Sequence, residues 1–234
     1  MNDIIVIDDF YPDPDSVVNY ALSQEFGYNK NANWPGKRTE KLDNNSDFVL
    51  SFSNLLKNKT NIDVSNYDLL GTSFHKTYIF SPFKNSPLNS GFIHTDLYKE
   101  YFIDGKKTFA GIVFLNKKPI KSSGTSFYKL KNYTNNISDA STNKKFADIR
   151  REYDLYMEAY KNMLYCYYIP KPNHAIDIIK IKHKVDDLFE KTHEIDNVYN
   201  RLILYNSNYF HGASNLFCNN FDPRLVQVFF MSEK

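Results

Sequence analysis

Two apolar runs near the end of the chain, Arg201-Leu202-Ile203-Leu204-Tyr205 and Leu225-Val226-Gln227-Val228-Phe229-Phe230-Met231, decide the fold class. Both are short, free of proline and dense in aliphatic and aromatic side chains, the pattern of buried strands rather than helices. Moving toward the N-terminus, Leu69 to Phe80, Phe109 to Leu115 and Thr125 to Leu130 read the same way. Ile4 to Ile7 adds a short strand that ends at acidic turn residues.

Helical signals lie between and before these runs. Asp13-Pro14-Asp15-Ser16 carries cap chemistry ahead of Val17, Val18, Tyr20, Ala21 and Leu22, and predicts a first helix. A second is expected over Phe48 to Leu56, after a loop-like stretch from Gly27 to Asn45 that includes Trp34-Pro35-Gly36-Lys37-Arg38-Thr39. Between about 139 and 166 the period changes. Phe146, Ile149, Tyr153, Tyr156, Met157, Tyr160 and Leu164 recur at three- and four-residue steps, which predicts an amphipathic helix. Ala175 to Ile181 reads as a strand and Val185 to Glu190 as a short helix. No repeat and no linker-like break interrupts residues 1–234. The expectation is one mainly β domain with helices (α+β), its core at about 69–130 and 200–234, with a helical insertion at about 139–197.

Composition narrows the function classes. The chain has 234 residues, and 29 Lys+Arg against 27 Asp+Glu leave a formal charge of +2. That balance excludes nucleic-acid binding by bulk electrostatics and equally an acidic tail protein. With 42% hydrophobic and 24% charged residues the composition is globular, and aromatics at 16% favour strand-rich packing. Cys166 and Cys218 form no CxxC pair and suit a reducing compartment. The N-terminus lacks a basic segment ahead of its short apolar run, and no stretch approaches the roughly 18 apolar residues of a membrane span. A cytoplasmic protein is expected.

Three separated residues suggest a metal site. His94-Thr95-Asp96 puts an imidazole and a carboxylate at i and i+2. On extended chain both point to one face, with Cα atoms roughly 6.6 Å apart, so one ion can be held between them. A third ligand must come from elsewhere, and His211 stands out in the loop after the strand that ends at Tyr205. Two imidazoles and one carboxylate on one side of an ion leave the opposite positions open, an arrangement that suits Fe(II) and dioxygen chemistry. Arg224 opens the last strand 13 residues after His211 (224 − 211). A two-stranded return of that length brings its guanidinium back to the pocket, where it can grip a distant carboxylate bidentately. Such an Arg, buried without an acidic partner, is costly, and a carboxylate cosubstrate accounts for it economically.

At these residues the sequence resembles the Fe(II)- and 2-oxoglutarate-dependent oxygenases, in the prolyl-4-hydroxylase-like group. The resemblance runs over His94-Thr95-Asp96, Phe114-Leu115-Asn116-Lys117, Ser123-Gly124-Thr125-Ser126-Phe127, Arg201 to Tyr205 with His211, and Pro223-Arg224-Leu225-Val226. The opening Asp8-to-Val17 segment and the Trp34-to-Thr39 loop are similar to those of bacterial and phage members of the group. The resemblance implies a double-stranded β-helix, or jelly roll, with Fe(II) held by His94, Asp96 and His211 at its mouth. It implies 2-oxoglutarate as cosubstrate with Arg224 on its far carboxylate, and Tyr78 is the candidate second contact. The activity implied is hydroxylation of a C–H bond by O2, with release of succinate and CO2, on a small molecule or a peptide or protein side chain. The 114 positions separating Asp96 from His211 (97–210) leave room for an insertion that covers the pocket.

Other readings stand beside this one. A nucleic-acid demethylase is disfavoured because no second Arg follows Arg224 closely and no basic stripe is evident. A jelly-roll binding or structural protein that retains a metal pocket is the non-enzymatic alternative. Trp34, Lys37 and Arg38 are either part of a substrate entrance or loop packing, and Arg201 is expected in a strand-edge salt bridge. His75, His174, His183 and His193 are expected in surface or hydrogen-bonded structural roles.

Overall fold

The computed structural model describes residues 4–27, 36–42, 46–60, 62–79, 86–96, 106–131, 179–180, 182–216 and 222–234. In chain order the strands and helices are β1 (Ile4–Ile7), α1 (Pro14–Ser23), β2 (Lys37–Arg38), α2 (Ser46–Thr60), β3 (Tyr67–Thr77), β4 (Thr108–Phe114), β5 (Thr125–Leu130), β6 (Phe189–Ile195), β7 (Leu202–Asn206), β8 (Phe210–Ala213) and β9 (Arg224–Glu233). The described part is mostly β, as the sequence predicts, and all paired strands run antiparallel.

Six strands form the larger sheet in the order β1-β7-β4-β9-β3-β2, and three form the smaller one, β6-β5-β8. Strict alternation gives the larger sheet two different faces. On the outer face Phe74, Val113, Leu202, Leu204, Leu225, Phe229 and Met231 pack with Val18 and Ala21 of α1 and Phe52 and Leu56 of α2. Each large side chain buried there contributes about 1.5–3 kcal/mol of transfer free energy. Phe229 can lie flat in this layer because its cross-strand partner is Gly111: a Cβ on Gly111 would meet the Phe229 ring at 2.1 Å. The inner face presents Ala110, Ile112, Phe114, Ile203, Tyr205, Val226 and Val228, which pack with Phe127 of the smaller sheet. The space between the two sheets is where the site residues converge.

Local chemistry explains the helices. Asp13 caps α1 by accepting from the Ser16 backbone N–H at 3.1 Å, and Pro14 fills a first-turn position whose missing N–H costs nothing. Arg201 makes the strand-edge salt bridge expected of it, its Nε and Nη2 donating to both carboxylate oxygens of Asp8 at 2.5 and 2.9 Å.

Three expectations need correction. His211 lies on strand β8 rather than in a loop, because residues 210–213 are extended and pair with β5. The helical insertion expected at 139–197 contains strand β6, which pairs with β5 over its whole length. Its Glu190, Lys191 and Glu194 face solvent, so the strand lacks the apolar density that marks a buried one. Residues 179–180 and 182–186 are helical, so the strand expected at 175–181 gives way to helix there, and the short helix ends before Phe189. The amphipathic helix expected at 139–166, Trp34, His174, Cys166 and Cys218 lie outside the described residues.

Candidate metal centre

His94 and His211 meet through their backbones before their side chains do. Each donates its N–H to the other's carbonyl at 2.9 Å, so the segment of His94 continues the smaller sheet beside β8. That approach is close enough to require glycine: a Cβ on Gly212 would lie 2.5 Å from the Phe92 carbonyl oxygen. Asp96 is tied down by its own N–H, which donates to Ser207 O at 3.0 Å. Extended chain on both sides then turns the three side chains toward one point.

The resulting geometry is compact. His211 Nε2 lies 3.1 Å from Asp96 Oδ2 and His94 Nε2 lies 3.6 Å from Asp96 Oδ1. One ligand atom from each of the three residues falls within 4.8 Å of the others. Both imidazoles are oriented by the same device. His94 Nδ1 bonds the Phe92 carbonyl at 2.8 Å and His211 Nδ1 bonds the Tyr209 carbonyl at 2.9 Å, in each case two residues upstream. A carbonyl can only accept, so Nδ1 carries the proton and Nε2 is left to face the cluster. His211 is nearly closed off at 5% exposure whereas His94 keeps 27%, so the cluster opens on the His94 side.

Burial acts on every group here. It pushes the Asp96 carboxyl up, but His211 and His94 outweigh it and hold that carboxyl well below the usual carboxylate range. Burial likewise pushes His94 down, and Asp96 more than reverses it. Tyr205 was not singled out in the sequence, yet its hydroxyl donates to Asp96 Oδ2 at 3.2 Å. Burial, then the Asp96 charge, raise this phenol well above its ordinary value, so it stays protonated and donates. Alternation along Ile203 and Tyr205 was the available signal, since Tyr205 is the polar member of that inward-facing pair.

Arg224 is 1% exposed at the start of β9. Its Nε donates to Ser123 O at 2.9 Å, and Nη2 lies 3.5 Å from Gly124 O and 3.4 Å from Thr125 Oγ1. The guanidinium stands 5.2 Å over the centre of the Phe114 ring, a cation–π arrangement. Asn116 fixes the backbone on either side, accepting from Leu225 N–H at 2.8 Å and donating to Pro223 O at 2.9 Å. The Ser123-Gly124-Thr125 and Asn116 motifs thus serve to seat one arginine. Directly opposite it in register stands Thr77, fully buried, whose Oγ1 makes no hydrogen bond among the described residues. A buried hydroxyl left so is costly unless an acceptor arrives, which fits an anionic group held between Thr77 and Arg224.

Tyr78, the candidate second contact, follows Thr77, the last paired residue of β3, and is 40% exposed. His75, expected in an ordinary structural role, is buried on the inner face, and its Nε2 is hydrogen-bonded with Ser73 Oγ at 2.8 Å. Burial, Arg38 and Arg224 push its imidazole down to about 3 against a smaller opposing pull from Asp96. His75 is therefore under the influence of both Arg224 and Asp96.

The fold is similar to that of several solved structures. HygX from Streptomyces hygroscopicus, with nickel and 2-oxoglutarate bound, matches at a TM-score of 0.54 and 13% identity over 99% of this chain and 83% of that one. The epimerase SnoN in complex with Fe3+, alpha ketoglutarate and nogalamycin RO matches at 0.50 and 8% identity over 98% of this chain and 78% of that one. At such identities the likeness is one of fold. The chain belongs to DUF6445, a family of unknown function, which it matches over residues 1–166. No curated protein matches it. Among the described residues no helix is long and apolar enough to cross a membrane.

Proposed function

We propose that this protein is a non-heme Fe(II)- and 2-oxoglutarate-dependent oxygenase on a double-stranded β-helix, of the prolyl-4-hydroxylase-like type that its motifs resemble, acting on a C–H bond of a small molecule or a peptide side chain. The carrying observation is the convergence of His94, Asp96 and His211 within 4.8 Å, with both Nδ1 atoms committed to carbonyls. Two neutral nitrogens and one carboxylate suit Fe(II) and leave positions for other ligands. A metal-bound neighbour, HygX, is also known with nickel, 2-oxoglutarate and hygromycin B bound, which supports a small-molecule substrate.

In this reading His94, Asp96 and His211 hold the iron, and Arg224 with Thr77 holds the far carboxylate of 2-oxoglutarate. With dioxygen, the bound pair supplies the oxidising power for C–H cleavage, and succinate and CO2 leave. The chain's own residues supply orientation. Tyr205 helps to aim Asp96, the two carbonyls keep the imidazoles in one tautomer, and the inner apolar face around Phe127, Ile203 and Val226 excludes water. Because Asp96 occupies the carboxylate position, halide finds no vacant ligand place, and hydroxylation is favoured over halogenation.

The test is anaerobic titration of the purified chain with Fe(II) and then 2-oxoglutarate, followed by measurement of succinate on adding oxygen. His94→Ala and His211→Ala are expected to lose both metal binding and succinate formation. Retained turnover in both variants removes the iron assignment, and a wild-type chain that binds no Fe(II) or Mn(II) leaves the non-enzymatic binding protein as the better reading.

A further inference from the structure

The inference here rests on the oxygenase reading and concerns what enters the site. Strand β2 is two residues long and closes one edge of the larger sheet, Lys37 pairing with Lys76 and Arg38 with His75. Residues directly paired across antiparallel strands share a face. Arg38 therefore stands on the inner face beside His75, which is in turn in register with Val226, two residues from Arg224 on the same face. Lys76 belongs to the opposite face, where its ammonium lies 3.9 Å from the centre of the Phe26 ring. The field at His75 agrees with this placement: Arg38, Arg224 and Asp96 all act on its buried imidazole.

Arg38 is half-buried and forms no ion pair among the described residues. It differs from Arg224 in its setting. Arg224 is anchored by the carbonyls of Ser123 and Gly124, deep in the sheet and opposite Thr77, whereas Arg38 sits on the edge strand. One face thus carries two guanidinium groups, and a single five-carbon cosubstrate uses one of them. A partly desolvated guanidinium without a counter-charge is offset best by an oxyanion, which it can grip with two parallel N–H donors.

We propose that Arg38 is a specificity-determining residue that pairs with an oxyanion, a carboxylate or a phosphate, carried by the substrate at the β2 edge of the inner face. The substrate class is accordingly an anionic small molecule or an acidic side chain, with the target C–H bond on the His94 side of the metal triad, where the cluster is open.

The experiment uses the full chain loaded with Mn(II) and N-oxalylglycine, a 2-oxoglutarate analogue that does not react. Inorganic phosphate and, separately, acetate are titrated calorimetrically, with acetamide as the uncharged control. Saturable binding of at least one anion is expected, weakened at least about tenfold in Arg38→Gln and by a smaller factor, about three- to tenfold, in Arg38→Lys, because the charge survives there without the fork. Mn(II) and N-oxalylglycine affinities are expected to be equal in all three proteins, which also shows that the variants are folded. A preference for phosphate or for acetate tells which oxyanion the substrate bears. No saturable anion binding, equal binding by Arg38→Gln, or acetamide binding as well as acetate overturns the inference while leaving the oxygenase reading standing. Weakened N-oxalylglycine binding in Arg38→Gln also overturns it, by assigning Arg38 to the cosubstrate. A wild-type chain that takes up neither Mn(II) nor N-oxalylglycine overturns the oxygenase reading itself, and this inference falls with it.

Discussion

Replacing Tyr205 by Phe removes one hydroxyl and leaves the ring. That hydroxyl donates to Asp96 Oδ2 at 3.2 Å, in a setting where burial and the carboxylate keep the phenol protonated. A hydrogen bond to a charged acceptor contributes about 1.5–3 kcal/mol. Partners that orient a ligating carboxylate typically change metal affinity about 10–100-fold. The ring's contacts with Phe127 and His211, at centroid distances of 5.0 and 4.7 Å, are available to the Phe ring of the variant as well. Tyr205→Phe is therefore expected to raise the Kd for Mn(II) by about 10–100-fold while Tm, measured on the metal-free protein, falls by about 3–12 °C, the size of one such bond. Calorimetric titration of Mn(II) into wild type and variant, with a thermal scan of each, reads both numbers. An unchanged Kd refutes the reasoning, because Asp96 would then be aimed without help from the phenol. A Kd loss that comes with a collapse in Tm refutes it too, since the hydroxyl would then be serving the fold.

Other perturbations probe other parts of the same construction. Arg224→Gln is expected to raise the Kd for 2-oxoglutarate at least about tenfold, the loss of one charge-assisted contact, with Mn(II) affinity unchanged; calorimetry checks both, and equal loss of the two points to misfolding. Gly111→Ala drives a methyl into the Phe229 ring, a 2.1 Å approach, and is expected to cost about 1–3 kcal/mol by urea unfolding. For His75 the imidazole is held at about 3 by burial and by Arg38 and Arg224, below its unfolded value near 6.5, so the unfolded chain takes up the proton first. Stability from this site is complete above the unfolded value and is lost as pH falls toward 3, by about 1.4 kcal/mol per unit. Urea titrations of the metal-free protein between pH 6 and 4 are expected to show wild type losing that much more per unit than His75→Asn, and parallel curves would exclude the effect.

The strands that carry their own apolar density were legible in the sequence. Ile4 to Ile7 and Thr125 to Leu130 were expected as strands over the very residues that form β1 and β5, and β4, β7 and β9 differ from expectation by one or two residues at their ends. Strands that draw their pairing from a neighbour were not. β6 reads Phe189-Glu190-Lys191-Thr192-His193-Glu194-Ile195, polar enough to pass for surface helix, and it exists because β5 offers it a free edge. β8 is four residues long and β2 two, too short for any period to register. The same division holds at the site. His94, Asp96, His211 and Arg224 were visible because their residue types are chemically unusual in strand contexts. Tyr205, Thr77 and His75 were not, because each reads as an ordinary strand residue, and only register says which face it occupies. Tyr78 was singled out for its phenol, whereas the residue in register with Arg224 is its neighbour Thr77.

Register is therefore the property on which the site depends, and the outer face helps to set it. On β9, Arg224, Val226 and Val228 point inward while Leu225, Gln227 and Phe229 point toward the helices. Gln227 is fully buried there, accepting from Tyr11 Oη and donating to Thr72 Oγ1 at 2.9 Å, and Thr72 Oγ1 in turn donates to Val228 O at 3.2 Å. A slip of β9 by one residue would carry Arg224 into the apolar layer of α1 and α2 and turn Gln227 toward the inner face that carries the candidate site. Either move leaves a buried polar group without its partners, at about 1–3 kcal/mol for the amide and more for the guanidinium. The pairing of β3 with β9 shifts register once, between Leu69 and Gly71, and from Gly71 to Thr77 it then runs without interruption up to Arg224. A polar network that touches no part of the site thus holds Arg224 opposite Thr77, and this is why two residues with no shared motif in the sequence come to face one another across the strands.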